Sequence, residues 1–149
     1  MKRLLGRGIS IVALLSLAFA AAVSQSQSAP DAVGTWRGTS LCLVRPSPCN
    51  DERVVYRITR IGTGDTLSLD ARKIVNGTEE EMGVLACLFA RAAHGVTCTM
   101  ANGTWRFTVR GDSLVGELRV RDGAKFRDVR TSRDKTAPPR EDPASTSRR

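Results

Sequence analysis

The fold of this chain is decided by residues 102–112, which read NGTWRFTVRGD. Apolar and polar side chains alternate from Trp105 to Arg110, a pattern typical of a strand with one buried face. The Asn-Gly pair before this segment and the Gly-Asp pair after it are strong turn signals. A strand with a tight turn at each end predicts antiparallel neighbours joined by hairpins.

The same pattern of short alternating segments and turn signals recurs along the chain between residues 34 and 130. We therefore predict an all-β domain, an antiparallel up-and-down meander of about eight short strands. Closure into a small barrel is favoured because it removes both sheet edges, and a two-sheet sandwich is the alternative. Residues 85–93 also fit helical spacing, but Gly83 just before them favours a strand.

The N-terminus has the organisation of a secretory signal peptide. Lys2, Arg3 and Arg7 precede an apolar run from Ile9 to Val23 that contains small residues suited to signal peptidase. This run is shorter than the about 20 residues that span a bilayer, although an uncleaved anchor remains the alternative. We predict cleavage near residue 22 and a secreted or periplasmic protein without stable membrane insertion.

Composition sets the remaining boundaries. Residues 1–22 are the predicted signal peptide, 23–32 a linker, 33–131 the β-barrel domain and 132–149 a disordered tail. The tail contains three prolines and no large apolar residue, so it cannot bury enough surface to offset the entropy of ordering.

The positive charge of the chain lies mostly outside the predicted domain. The whole chain has 23 basic and 15 acidic residues and a net charge of +8, whereas residues 23–131 have 15 basic and 12 acidic residues. This modest excess, together with export, predicts that nucleic acid is not a partner.

Four cysteines in an exported chain predict two disulfides, for which the sequence allows three connectivities. A hairpin that turns near residue 92 places Cys87 opposite Cys98, close enough for a bridge. Cys42 and Cys49 flank a proline-containing loop that their pairing would close. We therefore predict Cys42–Cys49 and Cys87–Cys98. Zinc is the alternative, but the closely paired cysteines typical of such sites are absent, so we expect no metal.

A Gly-x-Trp motif at the start of the first strand carries a resemblance to a known family. Gly34-Thr35-Trp36 is followed by the predicted meander, with Arg127 and Arg130 near its end. This combination resembles the lipocalin and calycin superfamily of ligand-binding barrels. The resemblance implies that Trp36 lies at the closed end of the barrel and that Arg127 or Arg130 packs across it in a structural cation–π contact.

The chain departs from the family pattern in its shorter strands and in the lack of a predicted C-terminal helix. The motif is also short, since residues 103–106 repeat the tetrapeptide of residues 34–37 by coincidence. The chain is similar as well to small exported bacterial proteins, a similarity that implies no function.

Residues for catalysis are sparse in this sequence. The only histidine, His94, lies in a predicted turn, and neither a Gly-x-Ser-x-Gly elbow nor a glycine-rich phosphate loop is present. We therefore expect a protein that is not an enzyme and that has no cofactor.

Two functions remain. The first is a binding module for a small apolar or amphipathic ligand, which would contact the inward residues Tyr56, Ile58, Leu69, Trp105, Phe107 and Leu118. The alternative is a protein-interaction or inhibitor-like envelope protein with a filled barrel. It would act on another exported protein through surface loops such as residues 46–48. An apolar cavity would favour the first function, and a solid interior the second.

Overall fold

The computed structural model describes residues 31–136. The predicted signal peptide, most of the predicted linker and the chain beyond residue 136 lie outside the described residues. The described elements are eight strands and one short 3₁₀ helix: β1 (Gly34–Cys42), β2 (Glu52–Arg60), β3 (Thr66–Val75), β4 (Thr78–Ala90), the 3₁₀ turn (Arg91–Ala93), β5 (Gly95–Met100), β6 (Gly103–Arg110), β7 (Ser113–Val120) and β8 (Lys125–Arg133).

The eight strands form one closed antiparallel barrel in sequence order, which confirms the predicted all-β meander. The first and last strands close it, with a register that runs from Trp36 opposite Arg133 to Cys42 opposite Arg127. The sandwich alternative is therefore wrong. The helical interpretation of residues 85–93 is also wrong, except for the single 3₁₀ turn, because Cys87 and Phe89 face the core while Leu88 between them is exposed.

Connections alternate between the two ends of a meander. The end at which β1 begins carries the β2–β3, β4–β5 and β6–β7 turns, and we call it the Trp36 end. The opposite end carries residues 43–51, which connect β1 to β2, together with three short turns, and we call it the loop end. Side chains that fill the Trp36 end include Trp36, Ile58, Leu67, Val109 and Leu114, all of them buried.

Trp36 is held at the edge and on one face of its indole ring. Its Nε1 donates a hydrogen bond to the carbonyl of Ala32 at 2.9 Å, and Cζ of Arg133 lies 4.1 Å from the ring centroid. The Arg133 guanidinium also donates to the carbonyls of Asp31 and Val33, each at 2.7 Å. This arrangement combines a cation–π contact with charge-assisted hydrogen bonds.

The predicted partner of Trp36 was therefore wrong, since Arg133 takes the place expected for Arg127 or Arg130. The reason is that β8 continues two residues beyond the predicted domain boundary at Thr131, which brings Arg133 opposite Trp36. Gly34 makes room for this contact. It has a φ of +138°, and a Cβ there would lie 2.6 Å from Nη1 of Arg133.

The cysteines pair as predicted, Cys42 with Cys49 and Cys87 with Cys98, and none is free. Disulfides are typical of oxidising compartments outside the cytosol. Among residues 31–136, no helix is long and apolar enough to span a membrane.

Candidate functional site

An apolar cavity of about 130 Å³ lies inside the barrel toward the loop end. Its wall carries no charged side chain and consists of Tyr56, Leu69, Ala71, Met82, Gly83, Leu85, Met100, Trp105 and Phe107. The cavity exists because small residues alternate here with large ones, whereas bulky side chains fill the Trp36 end.

Three aromatic rings form one side of the cavity. Phe107 stacks on Trp105, with ring centroids 5.6 Å apart and planes inclined by 8°, and it meets Tyr56 edge to face at 5.7 Å and 67°. Gly116 lies opposite Phe107 in the register, and a Cβ at that position would clash with the Phe107 ring. The rings are therefore fixed by one another and by a glycine behind them, and each aromatic pair contributes about 0.5–1.5 kcal/mol beyond its buried area.

The cavity wall is exposed beside Met82, where β4 and β5 are not paired. Ladder pairing between these strands covers only three residue pairs and ends at Leu88–Thr97. The Cys87–Cys98 disulfide joins the next two opposite residues toward the loop end. Beyond it, β4 and β5 are no longer paired. We call this gap the β4–β5 opening. Met82 lies beside it and is both part of the cavity wall and 41% exposed.

A β-bulge places Met82 at this opening. Ala71 pairs with Gly83 and Arg72 pairs with Glu81, which leaves Met82 as an extra residue on β4. Gly83 has a φ of +146°, a conformation that side chains rarely permit. Bulges of this kind redirect a side chain and bend the strand, and here the bulge places Met82 in the cavity wall.

A polar cluster occupies the interior next to the cavity, on the side of β1, β2 and β8. Nη1 of Arg127 lies 3.1 Å from Oε2 of Glu52 and donates to Oγ of Ser40 at 3.1 Å and to the Asn50 carbonyl at 3.2 Å. Both charged side chains are largely buried, and such a pair must be well hydrogen-bonded to offset its desolvation. Arg127 therefore joins the barrel interior to the β1–β2 loop instead of covering Trp36.

Tyr56 lies between the apolar cavity and the polar cluster. Burial raises the pKa of its hydroxyl well above the usual range. The hydrogen bond with Ser40 and the charge of Arg127 lower this pKa, but their effect is smaller. The phenol consequently stays neutral at physiological pH and can donate a hydrogen bond.

The structure divides the six predicted ligand residues into two groups. Tyr56, Leu69, Trp105 and Phe107 line the cavity. Ile58 is instead packed in the core toward the Trp36 end, and Leu118 is half-buried outside the cavity wall, opposite Trp105 and Arg127. A role of the lining residues in binding stays a prediction.

Sequence analysis missed five residues of the cavity wall: Ala71, Met82, Gly83, Leu85 and Met100. Ala71 and Leu85 follow from strand alternation once the register is known. Gly83 inside a strand was a signal for a bulge, and that bulge would have pointed to Met82.

No protein-family model matches the chain, and no curated protein sequence is significantly similar to it. A barrel of this kind is compatible with many functions, because function depends on the site and not on the fold. The chemistry of the cavity and its surroundings therefore carries the functional conclusion.

Proposed function

We propose that this protein is an exported, non-catalytic binding barrel for a small apolar or amphipathic ligand. The observation that carries this proposal is the uncharged cavity of about 130 Å³, walled by three aromatic rings and open at Met82. Ligand sites are typically concave and mostly apolar, with a few polar groups that fix orientation.

The size of the cavity limits the ligand. An engineered core cavity of about 150 Å³ binds benzene, whereas pockets for drug-sized ligands have about 300–1,000 Å³. We therefore expect a single ring or a short aliphatic chain to occupy the interior. A larger amphipathic ligand would extend through the β4–β5 opening into solvent.

The polar cluster adds a preference for neutral polar groups. Arg127 is already paired with Glu52, so the cluster offers no net positive charge to an anion. The neutral Tyr56 hydroxyl is a hydrogen-bond donor next to the cavity. A hydroxyl or carbonyl group on the ligand therefore fits this site better than a carboxylate or phosphate.

Two further features support a binding barrel that works outside the cytosol. The contact between Trp36 and Arg133 at one end, with a glycine before the tryptophan, is similar to the closed end implied by the resemblance to lipocalins. The two disulfides fit the predicted secretion or periplasmic localisation.

Tryptophan fluorescence tests this proposal, because the chain has only two tryptophans in different surroundings. Trp105 lines the cavity, whereas Trp36 is fully buried at the opposite end. We expect toluene and hexanol to change the emission of the protein in a saturable way, and Trp105→Phe to abolish the change. Calorimetric titration of the same variant separates loss of binding from loss of signal.

Absence of saturable binding of both probes would contradict the proposal. That result would favour the alternative of an interaction module that acts through its surface. A saturable signal that persists in Trp105→Phe would also contradict it, since the probe would then be bound near Trp36 and not in the cavity.

A further inference from the structure

The β1–β2 connection, residues 43–51, differs from every other turn of the described barrel. The other turns are shorter, whereas this connection spans nine residues and begins with two adjacent exposed aliphatic side chains. Leu41, Leu43 and Val44 are 40%, 47% and 39% exposed. We call these three residues the tip patch. Phe126 lies next to it, half-buried, and its carbonyl accepts a hydrogen bond from the Leu43 N–H at 3.0 Å.

The loop that carries Leu43 and Val44 of the tip patch is closed by a disulfide and by several hydrogen bonds. The Cys42–Cys49 disulfide closes it, and the Ser47 hydroxyl donates to the Val44 carbonyl at 2.7 Å. Arg45 crosses the loop to donate to the Cys49 carbonyl at 2.9 Å and to the Asp51 carboxylate at 3.0 Å. These contacts favour the conformation in which Leu43 and Val44 are exposed.

Cations outnumber carboxylates around the tip patch on the outer face of the barrel. Thr39 lies two residues before Leu41, and its partners in the register are Arg53 on β2 and Arg130 on β8. The Arg130 side chain is 78% exposed. The carboxylate of Asp128, which lies opposite Leu41 in the register, contacts Lys125 at 2.8 Å and Arg130 at 3.8 Å, and that of Asp51 contacts Arg45. The four cations Arg45, Arg53, Lys125 and Arg130 outnumber these two carboxylates, so the surface around the patch is net positive.

We infer that the tip patch docks the protein on an anionic membrane surface, with Leu41, Leu43 and Val44 in the outer hydrocarbon and Arg53 and Arg130 at the lipid phosphates. Exposed aliphatic residues backed by basic side chains are the combination that binds membrane interfaces. A protein partner is less well supported, because binding hot spots favour Trp, Tyr and Arg over Leu and Val. This docking is shallow, and it does not depend on whether the cavity holds a ligand.

Vesicle co-sedimentation of the protein recovered after export tests the inference. The probes are phosphatidylcholine vesicles with and without phosphatidylglycerol. We expect binding to the anionic vesicles that weakens as salt is raised. Leu43→Ser should reduce the partition constant by about tenfold, since burial of a leucine side chain contributes roughly that factor. Arg53→Gln and Arg130→Gln should each reduce it by about fivefold on anionic vesicles alone.

Ile61→Ser is the matched control for loss of an exposed aliphatic residue. Ile61 is 49% exposed and follows β2 at the Trp36 end, far from the tip patch. We expect this variant to bind like the unmodified protein. Leu43→Trp provides a direct readout, because its emission should shift to the blue on anionic vesicles and be quenched by lipids brominated near the headgroup. Thermal unfolding of each variant confirms that the barrel is intact.

Three results would overturn the inference. The first is no binding to anionic vesicles. The second is binding that Leu43→Ser leaves unchanged or that Ile61→Ser weakens equally, which would make it a general charge or surface effect. The third is a dimer in solution that Leu43→Ser dissociates, because the tip patch would then be an interface between two copies of the chain.

Discussion

Filling the cavity from β3 tests whether the interior space exists in solution. Ala71 is half-buried, lines the cavity and lies next to both Tyr56 and Gly83 in the register. Ala71→Leu adds three carbon atoms that point into a space of about 130 Å³. The substitution should therefore stabilise the barrel and at the same time remove the ligand site.

The magnitude follows from the added apolar surface. Three buried carbons at about 0.8 kcal/mol each give at most about 2.4 kcal/mol. The lost rotamer freedom of leucine subtracts about 0.5–1 kcal/mol, so we expect a net gain of about 1.5 kcal/mol. For a domain of this size, 1 kcal/mol corresponds to about 4–8 °C in Tm, and Ala71→Leu should raise Tm by roughly 6–12 °C.

Thermal and urea unfolding measure the stability, and calorimetric titration with toluene measures the binding. Ala86→Leu is the matched control, because Ala86 carries the same substitution on the exposed outer face of β4. We expect the control to change stability by less than about 0.5 kcal/mol and to leave binding unchanged.

Loss of stability in Ala71→Leu would refute the reasoning, since overpacking of a filled core typically costs about 1–3 kcal/mol. Toluene binding that survives in a stabilised Ala71→Leu protein would also refute it, because the bound toluene would then occupy a different place.

Three further predictions concern interactions that stabilise the barrel outside the cavity. Arg133→Ala should lower the free energy of unfolding by about 2–3 kcal/mol, because it removes the cation–π contact with Trp36 and two charge-assisted hydrogen bonds. Urea unfolding measures the loss, and the exposed Arg130→Ala should have almost no effect. Glu79 lies 2.6 Å from Arg57 and 3.1 Å from Arg37, and the hydrogen bond from Arg57 is the largest cause that lowers its pKa. A lowered pKa stabilises the fold above the ordinary pKa of about 4.3 and loses this effect as the pH falls through the lowered value. Glu79→Gln should therefore cost up to about 1 kcal/mol at pH 7, and unfolding curves should show the difference shrinking as the pH is lowered from about 5 to about 2. An equal cost of Glu79→Gln at both ends of that pH range would contradict the predicted direction of the pH dependence. Replacing Cys87 and Cys98 together by alanine should cost about 3 kcal/mol in the loop-entropy model. Hydrogen exchange should then increase most at β5, and an unchanged exchange pattern would argue against its dependence on the bridge.

Strand alternation and turn signals were sufficient to predict the barrel. Both are local properties of the sequence. The alternation of apolar and polar residues shows that Trp105, Phe107 and Val109 point inward without any knowledge of the partner strand. The Cys87–Cys98 bridge was predictable for the same reason, because a hairpin fixes which residues lie opposite each other.

Features that depend on where pairing starts and stops were not predictable. Arg133 was assigned to the tail because Ser132 and Arg133 lack the apolar residues that mark a strand, although backbone pairing with β1 continues through both. Met82 was missed because one extra residue in β4 exchanges the inward and outward faces of the strand. The β4–β5 opening depends on a ladder that ends after three pairs, and nothing in the side-chain pattern specifies that end.

The Cys87–Cys98 bridge explains how so small a barrel can retain an open cavity. At about 24 cal/mol per Å³ for an enclosed cavity, a space of about 130 Å³ costs at most about 3 kcal/mol, and less here because it opens to solvent beside Met82. The disulfide contributes a similar amount by constraining the unfolded chain, roughly 3 kcal/mol. It also lies where the β4–β5 ladder ends, between the filled Trp36 end and the open cavity. The bridge therefore offsets the cost of the cavity and links β4 to β5 at the point where their backbone pairing ends.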